Sequence, residues 1–210
     1  MKKKLKLKPY IIPSIYILVI TIFAVSAMQK FEDVPEPLED IRYVSNVIFS
    51  NEVPVISTDT KEIVVIRPYT DNDVKIGKNF YNHEQTEQEQ QNSIVNYENI
   101  YIQNSGIDYV KKDIFQVNAI LDGTVISVNN NELLGNIIEI QHDKNMISVY
   151  QSLSTISVKE GDSVVRGQVI GKSGTSKINQ ELGNHLHFEL FKSGQVVNPE
   201  DYYEKNIKDL

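Results

Sequence analysis

The residues with the clearest capacity for chemistry lie near the C-terminus, in the stretch Gly183-Asn184-His185-Leu186-His187-Phe188-Glu189. In a β-strand successive side chains alternate between two faces, so His185, His187 and Glu189 share one face and the apolar residues pack on the other. The two histidines are then about 7 Å apart at their backbones, close enough for one to bind zinc while the other acts as a base near the metal-bound water. A catalytic zinc usually has three protein ligands, so a metal enzyme needs further ligands from the rest of the chain.

Short β-rich segments surround this stretch and predict the sheet that positions it. The segments alternate with turn-forming residues such as Asp122-Gly123 and Ser193-Gly194, without helical intervals between them. They are residues 101–103, 117–120, 124–128, 137–140, 147–150, 169–170, 186–191 and 195–197. The pattern predicts a mainly β, antiparallel domain over residues 100–203, followed by a C-terminal tail at residues 204–210.

The N-terminal part of the chain predicts a single membrane anchor. Five lysines lie among residues 2–8, and residues 9–28 carry no formal charge and are rich in Ile, Val and Leu. Such a run crosses a hydrocarbon core of about 30 Å as a helix, and the lysines place residues 1–8 in the cytoplasm. The alternative is a cleaved signal peptide ending at Val25-Ser26-Ala27, but the apolar run exceeds the usual signal-peptide core of about 7 to 15 residues.

Residues 29–99 are predicted to form an extracytoplasmic stalk and N-terminal extension. β-branched runs at residues 53–56 and 62–67 predict a strand that ends before Pro68. The polar segment Glu84 to Gln91 is predicted to be either a loop or a solvated helix.

The composition excludes several kinds of site and partner. A chain of 210 residues with 40% hydrophobic residues suits one globular domain with extensions. It contains no cysteine, which excludes disulfides and thiolate metal sites. The net charge is −7 despite the N-terminal lysines, so the body of the chain is acidic and nucleic acid is not a predicted partner.

Further motifs resemble the lysostaphin-type zinc endopeptidases that cut peptidoglycan crosslinks. They are Gly161-Asp162-x-Val164-x-x-Gly167-Gln168-Val169-Ile170-Gly171, Gly174-Thr175, His185-x-His187-Phe188-Glu189 and Val197-Asn198-Pro199. The resemblance implies that zinc is held by the His and Asp of an H-x-G-x-D motif and by the second His of H-x-H. It also implies that the first His of H-x-H and the His of a Tyr-x-His-Leu-Ser segment assist catalysis.

Two of the histidines in those motifs are replaced in this chain. The first motif aligns as Asn104-Ser105-Gly106-Ile107-Asp108 and the third as Tyr150-Gln151-Ser152-Leu153-Ser154. Asn104 offers a metal only a neutral carbonyl oxygen, and Ser152 cannot carry a proton near neutral pH. Loss of a general acid or base costs on the order of 10²- to 10⁴-fold in rate, and loss of the metal removes the nucleophile.

We therefore predict a degenerate peptidase-like domain without peptidase activity, metal ion or cofactor. The aligned positions form a predicted vestigial groove with a structural role, which consists of Asn104, Asp108, Ser152, His185 and His187. The alternative is a peptidoglycan metalloendopeptidase with an altered zinc site, which would have to recruit His83 or His142 as a ligand.

The layout of the whole chain resembles the stage II sporulation protein Q family of endospore-forming Firmicutes. The layout combines the basic N-terminus, one membrane helix, the stalk with its Tyr97 to Tyr101 approach, and the degenerate domain that begins near Asn104. The resemblance implies a single-pass forespore membrane protein that projects into the intermembrane space. There it would bind a stage III sporulation protein AH-like ectodomain and support engulfment and channel formation. A third hypothesis is an inactive regulator that binds peptidoglycan and positions another hydrolase.

Overall fold

The computed structural model describes residues 63–210. The predicted cytoplasmic tail, the predicted membrane helix at residues 9–28 and the first part of the predicted stalk therefore lie outside the described residues. Within residues 63–210, the helices are all too short or too polar to span a membrane.

Strands dominate the part of the chain that the structure describes. The strands are β1 (Lys75–Lys78), β2 (Ile94–Tyr97), β3 (Ile100–Gln103), β4 (Ile107–Val110), β5 (Gln116–Asn118), β6 (Gly123–Asn131), β7 (Gly135–Gln141), β8 (Met146–Ile156), β9 (Ser163–Val164), β10 (Val169–Ser173), β11 (His185–Lys192) and β12 (Gln195–Val197). The helix α1 (Glu87–Asn92) precedes β2, and 3₁₀ turns lie at Gln180–Leu182, Pro199–Asp201 and Ile207–Asp209.

The main sheet has the strand order β1-β4-β11-β8-β7-β6-β9. β12 adds to β11, β10 pairs with β8 and β5, and β2 and β3 form a separate two-stranded sheet. The pairs between these strands are antiparallel, which confirms the predicted mainly β, antiparallel fold. Each β segment predicted between residues 101 and 197 overlaps one of the strands, whereas β1, β2, β4 and β9 were not predicted.

The core lies behind β11 and its neighbours. Leu186, Phe188 and Leu190 are fully buried, as the alternation along β11 predicts, and the Phe188 ring centroid is 5.1 Å from that of Tyr150 on β8. Burial of such side chains contributes about 1.5–3 kcal/mol each, so the apolar face fixes the strand and leaves the opposite face for polar residues.

Segments on both sides of residues 100–203 also pack against this core. Val65 and Val74 are buried members of it, and so is Ile207 near the C-terminus. The two segments pair with each other, because the Val65 N–H donates to Lys205 O at 3.1 Å and the Ile207 N–H donates to Ile63 O at 2.8 Å. The described unit is therefore wider than the range of residues 100–203 that the sequence pattern predicts.

The polar segment before β2 forms a short helix rather than a loop. Thr86 caps α1 through a capping box with Glu89, in which each residue bonds the backbone N–H of the other. None of the α1 residues is buried. The second of the two predicted alternatives, a solvated helix, is therefore the one observed over residues 87–92.

Candidate functional site

The candidate site lies on β11 and on the two strands beside it. His187 is opposite Asp108 of β4 on one side and opposite Gln151 of β8 on the other. Ser152 follows Gln151 in the chain, so the strand register alone brings the three predicted motifs to one region of the sheet. Each of these pairings is antiparallel and directly opposite, which leaves little freedom in where the side chains lie.

The loop between β3 and β4 holds Asn104 beside this register. The backbone N–H of Asn104 donates to Ser93 O, and its carbonyl oxygen accepts from the Tyr81 N–H, both at 2.9 Å. Two residues further on, a Cβ at Gly106 would lie 2.2 Å from Phe188 O on β11. Glycine is therefore required for the loop to approach β11 closely enough to bring Asn104 to the site.

The side chain of Asn104 acts as a hydrogen-bond donor. Its Nδ2 donates to Asn79 O at 3.0 Å, to Gly106 O at 3.0 Å and to Asp108 Oδ2 at 3.2 Å. All of these partners only accept hydrogen bonds, so the amide nitrogen, not the oxygen, must face them. Asn104 therefore presents N–H groups to Asp108 at the position where the zinc enzymes have a histidine ligand.

The carboxylate of Asp108 is fully buried and bound on both oxygens. Oδ1 accepts from His187 Nδ1 at 2.9 Å, and Oδ2 accepts from Asn104 Nδ2 and from Asn179 Nδ2, each at 3.2 Å. These donors stabilise the charged carboxylate without any cation other than the imidazole ring of His187.

His187 lies between two carboxylates. Its Nδ1 faces Asp108, and its Nε2 is 3.3 Å from Glu189 Oε1, which also accepts from the Ser105 hydroxyl. Burial disfavours the charged ring, but the Asp108 and Glu189 carboxylates outweigh it and raise the pKa of His187 to about 10. Both ring nitrogens therefore donate at neutral pH, and neither has a free lone pair.

His185 and Ser152 lie beside this cluster without joining it. His185 is fully buried, with Nδ1 2.8 Å from Gly183 O and Nε2 3.1 Å from the Ser176 hydroxyl, and burial lowers its pKa. Ser152 is buried, has a φ of 63° and donates its N–H to Leu134 O at 2.9 Å. Of the five predicted groove residues, Asn104, Asp108 and His187 are directly hydrogen-bonded to one another through Asp108.

The donor set does not fit a zinc ion. Zinc needs lone pairs from its ligands, whereas Asn104 and Asn179 face Asp108 with amide N–H groups. Turning the Asn104 amide to present its oxygen would leave Asn79 O and Gly106 O without their donor. In residues 63–210, His, Cys, Asp and Glu side chains do not form any group of three or more that could hold a metal ion.

Of the two histidines that an altered zinc site would have to recruit, one is hydrogen-bonded to other groups and the other is exposed to solvent. His142 is buried, with Nδ1 2.8 Å from Asp122 O and Nε2 2.7 Å from the Ser148 hydroxyl. His83 is exposed in the loop before α1. Neither ring contacts Asp108 or His187 in the described part of the chain, so the structure does not offer a replacement ligand there.

Three residues of the site were not predicted from the sequence. They are Ser105, Ser176 and Asn179, which bond Glu189, His185 and Asp108 respectively. Ser105 lies inside the first motif and could have been examined as a neighbour of Asn104. The contact between Asn179 and Asp108 spans 71 residues and has no local sequence signal.

Comparison with known proteins shows the family to which this chain belongs. The profile described as peptidase family M23 matches residues 102–199. Stage II sporulation protein Q of Bacillus subtilis strain 168 is 33% identical over 210 residues, which cover 97% of this chain and 74% of that protein. The chain belongs to the stage II sporulation protein Q family. This membership confirms the resemblance drawn from the motifs and the layout of the chain.

Two solved structures that contain SpoIIQ are similar to the described fold. A structure of the SpoIIQ–SpoIIIAH pore-forming complex has a TM-score of 0.69 and 37% identity, and covers 71% of this chain and 96% of that chain. A crystal structure of a SpoIIIAH and SpoIIQ complex has a TM-score of 0.64 and 39% identity, and covers 66% of this chain and 99% of that chain. The peptidase-like β domain is thus shared within the stage II sporulation protein Q family.

Proposed function

We propose that this chain is a catalytically inactive, membrane-anchored binding protein of sporulation. Its domain projects from the forespore membrane into the intermembrane space and binds a stage III sporulation protein AH-like ectodomain, which supports engulfment and channel formation. Residues 9–28 anchor it as a single span, with residues 1–8 in the cytoplasm.

One observation carries the inactivity: Asn104 Nδ2 donates to Asp108 where a zinc enzyme needs a third ligand. Asp108 and His187, the two aligned zinc ligands that remain, bond each other at 2.9 Å. With Ser152 at the position of a catalytic histidine, the chain also lacks a group that could transfer a proton near neutral pH. Asn104, Asp108 and His187 then serve to hold β4, β11 and the loop before β4 together.

The binding role is supported by the family and by its solved relatives. The SpoIIQ chains of the two similar structures are each in complex with SpoIIIAH, and this chain covers almost all of both of them. A binding role needs a stable, folded surface but not a metal or an activated water, which is consistent with a site in which N–H donors bond both oxygens of Asp108.

The partner is tested with the full chain in detergent and the purified ectodomain of a stage III sporulation protein AH. We expect a stable complex at micromolar concentration by calorimetry, and unchanged binding with the His83→Gln variant, which alters an exposed histidine that does not contact Asp108 or His187. Absence of association at micromolar concentration would contradict the binding role.

The inactivity is tested separately by metal analysis and by digestion of muropeptides. Protein purified without chelators is expected to contain far less than one zinc per chain and to leave crosslinked muropeptides intact. One tightly held zinc per chain, or cleavage that a chelator abolishes, would favour the peptidoglycan metalloendopeptidase instead.

A further inference from the structure

Within residues 63–210, the outer edge of β12 is not paired with another strand. β12 pairs with β11 through Lys192 and Gln195, Phe191 and Val196, and Leu190 and Val197. The two strands are joined by Ser193 and Gly194, which have φ values of 51° and 79°, the geometry of a two-residue type I′ turn. In such a hairpin the pair beside the turn is hydrogen-bonded and the pairs alternate, so the N–H and C=O of Val196 point away from β11.

A groove of about 690 Å³ runs along this edge. Its lining combines apolar and polar residues: Phe80, Tyr81, Val196, Val197, Tyr202 and Leu210 supply the apolar part, and Asn82, Asn198 and Asp201 are among the polar residues. Val196 is 37% exposed, and its backbone groups have no hydrogen-bond partner within residues 63–210. A partly apolar groove beside these backbone donors and acceptors fits one added β-strand.

The described chain begins beside this groove. Ile63 O accepts from the Ile207 N–H at 2.8 Å, and Val64 bridges Asn206. The neighbouring Lys205 and Asp209 line the groove. The residues that precede Ile63 in the chain therefore start at its rim.

We propose that residues 53–56, Val-Pro-Val-Ile, occupy the groove and add a strand to the free edge of β12. The six residues 57–62 between them and Ile63 reach at most about 22 Å when extended, which is enough to span the groove. The β-branched side chains match the apolar lining, and Pro54 is acceptable because proline occurs on edge strands. Pro54 would also block any further strand from adding to the sheet.

A segment of the same chain has a higher effective concentration at the groove than any other occupant. A linker of six residues gives residues 53–56 an effective concentration in the millimolar range, far above the concentration of a second copy or a free partner. This inference does not rest on the proposed function, and it assigns residues 53–56 to the folded domain rather than to the stalk.

The test uses the absence of cysteine from the chain. In the full chain, Val196→Cys is combined with a single cysteine at each of residues 53–58 in turn, and the products are oxidised and examined as monomers. Neighbouring strands allow disulfides, and side chains alternate between faces, so we expect intrachain disulfides whose yield varies with a period of two. In the matched control, Ile114→Cys replaces Val196→Cys at another exposed β-branched residue, and we expect little disulfide there.

Several results would overturn the proposal. A yield without periodicity, or an equal yield with the Ile114→Cys control, would indicate a flexible tether. Disulfides formed only between chains would indicate a second copy in the groove. Absence of any intrachain disulfide would also contradict docking of residues 53–56.

Hydrogen exchange tests the docking of residues 53–56 without the introduction of cysteines. In the full chain the Val196 amide is expected to exchange at least roughly tenfold more slowly than in the Val55→Asp variant, because the added strand bonds that amide. Equal exchange in the two proteins contradicts the proposal. Protection that arises only when a partner ectodomain is added assigns the groove to the partner and also contradicts it.

Discussion

At the scale of single residues, the site depends on the polarity of hydrogen bonds. Asn104 and Asn179 both direct N–H groups at the Asp108 carboxylate, and His187 donates to its other oxygen. A buried carboxylate needs such donors or a cation, so the amides supply part of the stabilisation that a metal ion gives in the zinc enzymes. The sequence predicts the loss of a ligand at position 104, but it does not predict which amide atom faces Asp108.

Replacement of Asn104 by alanine is expected to destabilise the fold. The variant leaves Asn79 O, Gly106 O and Asp108 Oδ2 with one donor fewer in a buried site, which costs about 1–3 kcal/mol in the free energy of unfolding. Urea unfolding measures this difference, and Asn92→Ala, at an exposed position at the end of α1, serves as the control. Equal stability of the two variants would contradict the donor role of Asn104.

His142 makes the stability depend on pH. Its Nδ1 donates to Asp122 O, and Ser148 donates to its Nε2, while the Tyr150 hydroxyl lies 3.1 Å from that of Ser148 and accepts from the Ile120 N–H. Burial lowers the pKa of His142 from 6.5 to about 4, because the charged ring is disfavoured away from solvent.

The unfolded chain therefore binds more protons than the folded chain between pH 6.5 and pH 4. As the pH is lowered from 6.5 to 4, the free energy of unfolding is expected to decrease by about 3 kcal/mol because of His142. Unfolding at a series of pH values should show a smaller decrease in His142→Gln than in the unmodified chain, and the decrease in His83→Gln should be unchanged. An identical pH dependence in all three proteins would exclude His142 as the cause.

At the scale of elements, a segment before β1 and the turn after β12 are tied together. Arg67 Nη1 and Nη2 bond both Glu200 carboxylate oxygens at 2.6 Å, and the guanidinium lies 4.7 Å from the Tyr203 ring centroid. Tyr109 of β4 also donates to Glu200, at 3.2 Å. The bidentate pair thus joins the N-terminal segment to the main sheet.

Loss of the Arg67–Glu200 pair should lower the free energy of unfolding more than loss of an exposed ion pair. The Arg67 and Glu200 side chains are 39% and 29% exposed, whereas those of Lys177 and Glu132 are 51% and 84% exposed. After allowance for solvent screening, Arg67→Ala is expected to lower the free energy of unfolding by about 1–2 kcal/mol, and Lys177→Ala is expected to have a smaller effect. Thermal unfolding of both variants checks the contrast, and a larger effect at Lys177 would refute it.

The elements also show which signals the sequence carries. β7 and β8 were predicted because Ile137-Ile138-Glu139-Ile140 and Ile147-Ser148-Val149-Tyr150 are β-branched and aromatic runs. β4 was not predicted, because Asp108 interrupts its apolar pattern, and two of its three side-chain donors, Asn179 and His187, come from distant segments. β1 has the sequence Lys-Ile-Gly-Lys, whose charges and glycine are typical of a loop, and it becomes a strand only by pairing with β4.

At the scale of the whole molecule, the segments on both sides of the β domain pair with each other and pack against its core. The backbone pairs between residues 63–65 and 204–207 could not be predicted, because the pairing joins segments more than a hundred residues apart. The β-branched run at residues 62–67 predicts a strand but not its partner, and Asn206 and Lys205 resemble an exposed tail. The site and the sheet were therefore easier to predict than the extent of the domain.

A charged side chain at position 207 is expected to disrupt the packing of residues 204–210 against the core. Ile207 is buried in the core, and Ile207→Asp places a carboxylate there without a partner, at an expected cost of at least about 2 kcal/mol in the free energy of unfolding. Lys208→Asp, one residue further on and exposed, is the matched control. Calorimetric unfolding of the two variants compares them, and an equally stable Ile207→Asp protein would show that residues 204–210 do not contribute to the core.

The adjacency of Ile63 and Ile207 also decides where a label attached to the protein resides. A fluorescent protein fused after Leu210 would emerge close to Ile63, and it would crowd the groove beside β12, which Leu210 itself lines. A label placed in the turn between β6 and β7, whose residues do not line that groove, would leave it open.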